Sequence, residues 1–163
     1  MFPDQILKIA TDLVAAARGR GLRLGTVETV TAGLVSAAIT SAPGASQVFE
    51  RGFVLYGDDA KSGGLDIAPE IAASHGAVSA EITAALARAF FAHGAADVSL
   101  AVTGYAGPGG GSADKPVGSV FLAAARRNGT LVAERALFQG DRNAVRLQAV
   151  EVGLVLLSRI ITG

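Results

Sequence analysis

Apolar residues Ile6, Ile9, Ala10, Leu13, Val14 and Ala17 recur at helical spacing near the start of the chain, and Gly19 and Gly21 then interrupt the pattern as helix ends do. A first helix is predicted there. Residues 23–28 are short and partly β-branched, and a stretch of small residues, 31–41, follows before Pro43 and Gly44 break the chain. This reads as strand, sharp turn and helix. Residues 47–56, with Val48, Phe49, Phe53, Val54, Leu55 and Tyr56, predict a strand buried on at least one face and ending near Tyr56. Residues 58–64 read as a short helical or looped piece, and 69–74 and 79–93 as two further helices, the second capped by Ser79.

The apolar run 98–102 ends directly in a glycine-rich loop, an arrangement by which α/β proteins place ligands at strand ends. Residues 117–125 and 131–138 predict two strands joined through Arg127, Asn128 and Gly129, Asn-Gly being the favoured two-residue hairpin turn. Asp141 is placed to cap a long last helix whose buried surface comes from Val145, Leu147, Val150, Leu154, Leu157 and Ile160. Helices before, between and after the strands imply a three-layer α/β/α sandwich, and the hairpin requires an antiparallel pair. The expectation is one domain over residues 1–163 with a mixed β-sheet.

Composition narrows the chemistry. A chain of 163 residues suits one domain with a full core. It has no cysteine, which removes disulfides, thiolate metal sites and cysteine nucleophiles. Fourteen Lys and Arg balance fourteen Asp and Glu and are scattered, so no nucleic-acid partner is expected and a small molecule is. No apolar run reaches the roughly 18 residues of a membrane span. The first residues carry Pro3 and Asp4 and lack the pattern of a secretory signal, so a soluble, cytoplasmic protein is expected. A composition that is 50% hydrophobic in so small a domain makes a homodimer or higher homo-oligomer reasonable.

Three segments hold candidate chemistry. The loop from Thr103 to Ser112 contains five glycines, Gly104, Gly107, Gly109, Gly110 and Gly111, whose backbone can approach a ligand closely and turn several N–H groups toward a phosphate or carboxylate. It matches neither the nucleotide-triphosphate P-loop nor the dinucleotide fingerprint; a purely structural tight loop is the alternative. Arg142 and Arg146 stand four apart at the start of the last helix, so they share a face, either for an anion or simply for solvent. Thr29 and Thr31 flank the first strand-to-helix turn, where hydroxyls sit beside N–H groups at the helix's positive end; capping alone also accounts for them. Tyr56 and Lys61 lie just after a strand, and a lysine kept neutral by burial can act as a base. His75 and His93 show no metal or triad spacing and are assigned to structure.

Taken together, Glu28-Thr29-Val30-Thr31-Ala32-Gly33, Phe49-Glu50-Arg51-Gly52-Phe53-Val54, Tyr56 with Lys61, His75-Gly76-Ala77-Val78-Ser79, the loop from Thr103 to Ser112, Lys115-Pro116-Val117-Gly118 and Gly140-Asp141-Arg142 resemble the CinA C-terminal domain family, which includes stand-alone nicotinamide-nucleotide amidases. The resemblance runs from the first helix to the last. It implies hydrolysis of the carboxamide of nicotinamide mononucleotide to nicotinate mononucleotide and ammonia, in pyridine-nucleotide recycling, with no metal and no cofactor. In the family the first motif usually reads Glu-Ser-Cys-Thr-Gly-Gly. Its serine is the proposed nucleophile and falls on Thr29, assisted by Lys61 as base and Tyr56. The resemblance places substrate contacts at Glu28, Thr31, Gly33, Thr103, Gly104, Gly107, Gly109, Gly110 and Gly111, with Arg142 or Arg146 on the phosphate and N–H groups of residues 31–33 facing the oxyanion.

Two departures fall in that motif. Thr29 keeps the hydroxyl but adds a methyl that restricts χ1, and Ala32 adds a Cβ where the family has glycine, penalising any positive φ. The competing reading is a catalytically silent paralogue that binds a pyridine nucleotide or other phosphate ligand. A regulatory role in competence or DNA damage, suggested by the family's name, has no support in the charge pattern.

Overall fold

Helix α1 (Asp4–Gly19) turns Ile6, Ala10, Leu13, Val14 and Ala17 to one side, and each is buried. Burying one such aliphatic side chain contributes about 1.5–3 kcal/mol, so this single stripe fixes which face of the helix meets the sheet. The computed structural model describes residues 1–163, the side chain of Ser62 excepted. Strand β1 (Leu24–Glu28) is followed by α2 (Leu34–Thr40), strand β2 (Phe49–Val54), the short helices α3 (Asp58–Gly63) and α4 (Pro69–His75), and α5 (Ala80–His93). Strands β3 (Val98–Gly104), β4 (Ser119–Arg126) and β5 (Leu131–Leu137) and the closing helix α6 (Arg142–Thr162) complete the chain.

The five strands form one mixed sheet in the order β2-β1-β3-β4-β5. β2, β1 and β3 are parallel, β3 pairs antiparallel with β4, and β4 with β5. Alternation along the central strands sorts the two faces. Leu100, Val102, Val120 and Leu122 pack with α1, α2 and α6, whereas Ala101, Ala123 and Ala125 pack under α5 with Ile82, Leu86 and Phe90. The three-layer arrangement therefore stands, with α1, α2 and α6 on one side of the sheet and α5 on the other.

Two local expectations change. β2 is an edge strand, intermediate to exposed along its whole length, because β1 covers only one of its edges and its faces lie at the rim of both helix layers. The β4–β5 connection is a three-residue loop rather than a two-residue turn: Gly129 N–H donates to Arg126 O, Arg126 N–H to Thr130 O, and Gly129 takes φ +100°. That is a turn closed by a glycine bulge, the next commonest hairpin solution.

The topology also creates a crevice. From β1 the chain turns through α2 to β2 on one side, while β3 leads to β4 on the other, so the connections diverge at the carboxyl ends of β1 and β3. Ligands of open α/β sheets bind at such a switch point.

Candidate active site

The turn that leaves β1 is held on all sides. Thr29 N–H donates to Val102 O of β3 at 3.0 Å, and Ala32 N–H closes the turn on Thr29 O at 3.1 Å. Ala32 takes φ +49° and Gly33 φ +94°, so the added Cβ sits where an L-residue is disfavoured by about 1–2 kcal/mol. Glu28, wholly buried, accepts from Gly33 N–H (2.9 Å), Val35 N–H (3.0 Å), Ser36 N–H (2.8 Å) and Ser36 Oγ (2.6 Å). Its carboxylate is thus the cap of α2, satisfying donors that a helix start leaves orphaned. Gly33 stands at the N-cap position itself, and Thr31 caps nothing: its Oγ1 is buried without a partner.

One cleft of about 150 Å³ opens beside this turn, lined by Thr29, Val30, Tyr56, Lys61, Gly104, Tyr105, Ala106, Gly107, Gly109 and Arg142. It draws on the turn after β1, the segment after β2, the end of β3, α3, α6 and the glycine loop, segments distant along the chain. The lining carries two basic side chains, Lys61 and Arg142, and no carboxylate. Such a surface favours an anionic guest.

Thr29 is buried and its Oγ1 donates to Val102 O at 3.1 Å. Rotation about Cβ–Oγ alone would release that hydrogen from the carbonyl without moving the oxygen. Lys61 Nζ lies 5.6 Å from the Tyr56 ring centroid and 3.2 Å from Asp58 Oδ1. The Asp58 side chain is 96% exposed, so water screens this pair. Tyr56 reaches across to Arg142, whose Nη2 bonds its hydroxyl while Nη1 donates to Gly107 O at 2.6 Å.

The loop after β3 owes its path to its glycines. A Cβ on Gly104 would lie 2.8 Å from Ser119 O, and Gly107 takes φ +82°. Among the described residues the N–H groups of Ala106, Gly107 and Gly109 meet no acceptor, and neither do those of Val30 and Thr31. Residues with free donors therefore line the cleft from both loops, Val30 from one and Ala106, Gly107 and Gly109 from the other, with the free Thr31 N–H next along the turn behind Val30; an anion nest and an oxyanion site are built in this way.

The structure thus brings Thr29, Tyr56, Lys61, Gly104, Gly107, Gly109 and Arg142 to one cleft, and it does not place the other candidates on its wall. Glu28 serves α2. Thr103 is buried, its hydroxyl 2.8 Å from that of Thr83 on α5. Thr31, Gly33, Gly110 and Gly111 lie off the lining, and the N–H groups of Ala32 and Gly33 are already spent on Thr29 O and Glu28. Arg146 shares a helix face with Arg142 but turns to the backbone, donating to Val30 O (3.1 Å) and Thr31 O (3.0 Å). Sequence reasoning passed over Val30, Tyr105 and Ala106, apolar or aromatic residues inside motifs it had otherwise singled out.

The model of the CinA C-terminal domain matches residues 6–161. The chain belongs to this family. It is 38% identical over 157 residues to nicotinamide-nucleotide amidohydrolase PncC of Escherichia coli strain K12, covering 96% of this chain and 95% of that protein. A CinA-like protein of Geobacter sp. strain M21 is 44% identical over 146 residues, 90% of this chain and 35% of that longer protein. Among solved structures, a competence/damage inducible protein of Agrobacterium tumefaciens superposes with a TM-score of 0.95 at 36% identity, covering 100% of this chain and 99% of that one. The CinA C-terminal fold is therefore the mixed five-strand, three-layer architecture described above, and among the described residues no helix is long and apolar enough to cross a membrane.

Proposed function

We propose that this CinA-family chain hydrolyses the carboxamide of nicotinamide mononucleotide, giving nicotinate mononucleotide and ammonia. The observation that carries the reading is the meeting of a hydroxyl, an amine and two sets of free N–H groups around one cationic cleft. The 38% identity to a nicotinamide-nucleotide amidohydrolase supports the substrate class.

In this mechanism the N–H groups of Ala106, Gly107 and Gly109 and the Arg142 guanidinium receive the phosphate. Thr29 Oγ attacks the carboxamide carbon as Lys61, acting in its unprotonated amine form, takes its proton, with Tyr56 orienting or relaying it. The carbonyl oxygen gathers negative charge and is met by the N–H groups of Val30 and Thr31, the first of them belonging to the residue after the nucleophile. The C–N bond breaks, the leaving nitrogen takes the proton and departs as ammonia, and water then cleaves the ester to free the acid and restore Thr29. Apart from that water, every step uses groups this chain supplies.

The silent-paralogue reading has no observation in its favour, since the hydroxyl, amine and donors are all present at the cleft. Purified protein supplied with nicotinamide mononucleotide is expected to release ammonia stoichiometrically with nicotinate mononucleotide, and Lys61→Met is expected to lower the rate by about 10²–10⁴-fold, the usual worth of a positioned acid or base. Saturable binding with no ammonia would instead favour the silent paralogue, and an unchanged rate in Lys61→Met would remove Lys61 as the base.

A further inference from the structure

We infer that Arg146 is a positioning residue that aims the oxyanion-facing edge of the turn after Thr29; the inference rests on the hydrolase reading above. It begins from an asymmetry. Arg142 and Arg146 lie one helical turn apart, yet only Arg142 lines the cleft. Arg146 spends its planar fork on two successive carbonyls, Nε on Val30 O at 3.1 Å and Nη2 on Thr31 O at 3.0 Å.

A trans peptide is planar, with its C=O and N–H pointing in opposite directions. Fixing Val30 O therefore fixes the Thr31 N–H, which shares that plane and points away from Arg146 as one of the two free donors of the turn. Fixing Thr31 O likewise fixes the Ala32 N–H, which closes the turn on Thr29 O at 3.1 Å. One side chain thus holds the two peptide planes on either side of Thr31; the second is also held by Leu34 N–H on Thr31 O at 3.1 Å, so the Val30–Thr31 plane is the one that depends on Arg146.

The turn needs such a hold. Ala32 occupies φ +49°, a conformation that persists only where surrounding contacts over-determine it. Glu28 grips the far end of the turn through Gly33, and Arg146 grips its middle. Without the fork, the Val30–Thr31 peptide is free to rotate and carry its N–H out of line. Lysine is a poor substitute, because a single ammonium does not reproduce a rigid two-pronged donor.

The test compares wild type, Arg146→Lys and Arg146→Met. The expected result is a fall in kcat on nicotinamide mononucleotide of about a hundredfold for Arg146→Met, the scale set by a displacement of about 1 Å at a reacting centre, with KM changed less than threefold and Arg146→Lys in between. In substrate-free protein, amide exchange at Ala32 is expected to speed up at least tenfold while the β4 amides hold. A rise in KM at constant kcat would make Arg146 a ligand contact and overturn the inference. So would uniform acceleration of all amides, or Ala32 exchange identical to wild type. Wild-type protein that releases no ammonia would sink the hydrolase reading, whereas the Ala32 exchange rate judges Arg146 in either case.

Discussion

Glu28→Gln is a substitution of one atom type in a wholly buried side chain, and the structure sets its cost. Glu28 Oε2 accepts from Gly33 N–H and Val35 N–H, and Oε1 from Ser36 N–H and Ser36 Oγ. A glutamine amide has one acceptor oxygen and one donor nitrogen. Whichever way it turns, its NH₂ faces two donors. If the NH₂ meets Gly33 and Val35, two backbone N–H groups are orphaned at the start of α2; if it meets Ser36, the hydroxyl can reverse but the Ser36 N–H cannot. One or two buried donors without partners, at about 1–3 kcal/mol each, give a loss of about 1–6 kcal/mol. For a domain of this size that corresponds to a fall of about 2–24 °C in Tm, at about 2–4 °C per kcal/mol. Urea denaturation followed by circular dichroism measures it directly. A change below about 0.5 kcal/mol would refute the cap assignment, and weakened binding of nicotinate mononucleotide with an unmoved unfolding midpoint would restore Glu28 as a ligand contact.

Other outcomes follow from single residues. Ala32→Gly removes a Cβ at φ +49° and is expected to stabilise by about 0.5–1 kcal/mol, relief of about 1–2 kcal/mol being partly offset by the greater freedom of an unfolded glycine; the same change at exposed Ala15 within α1 is expected to destabilise by about 1 kcal/mol, and thermal melts of both check the sign. Gly104→Ala puts a Cβ 2.8 Å from Ser119 O and 2.9 Å from Val120 Cγ2, so β3 and β4 must part, at about 1–3 kcal/mol by chemical denaturation. The Ser112 hydroxyl, 2.6 Å from Asp114, is the main cause holding that carboxyl below 3.8. With the folded value depressed, Asp114's contribution to stability is present above 3.8 and is lost as pH falls through the lower folded value. Ser112→Ala is therefore expected to move the Asp114 titration upward in carbon-detected NMR, and an unmoved titration would refute the hydrogen bond's role.

Much of this architecture was legible in periodicity. The stripes of α1 and α6, the Ser79 and Asp141 caps and the β3-to-loop transition were all readable because each rests on local spacing or one local hydrogen bond. The exposure of β2 was not, since an edge strand differs from a central one only in what its neighbours do. The same holds for the candidate site. The three segments could be named from their residue types, and residue 32 could be marked as a place where a positive φ would be strained, although that Ala32 takes one is seen only in the structure. The different tasks of Arg142 and Arg146 were hidden, because equal helical spacing says that two side chains share a face and nothing about which reaches a cleft and which a backbone. Glu28 was misplaced for a similar reason: a carboxylate at a strand end suits a ligand as well as the start of the next helix.

The most direct measurement is capture of the covalent intermediate. Protein mixed with nicotinamide mononucleotide, quenched in acid within milliseconds and digested, is expected to yield a Thr29 peptide heavier by one nicotinate-mononucleotide acyl group, a species missing from Thr29→Val. Ammonia release at full rate with that peptide unmodified, or undiminished turnover by Thr29→Val, would contradict the assignment of the threonine oxygen as the attacking atom.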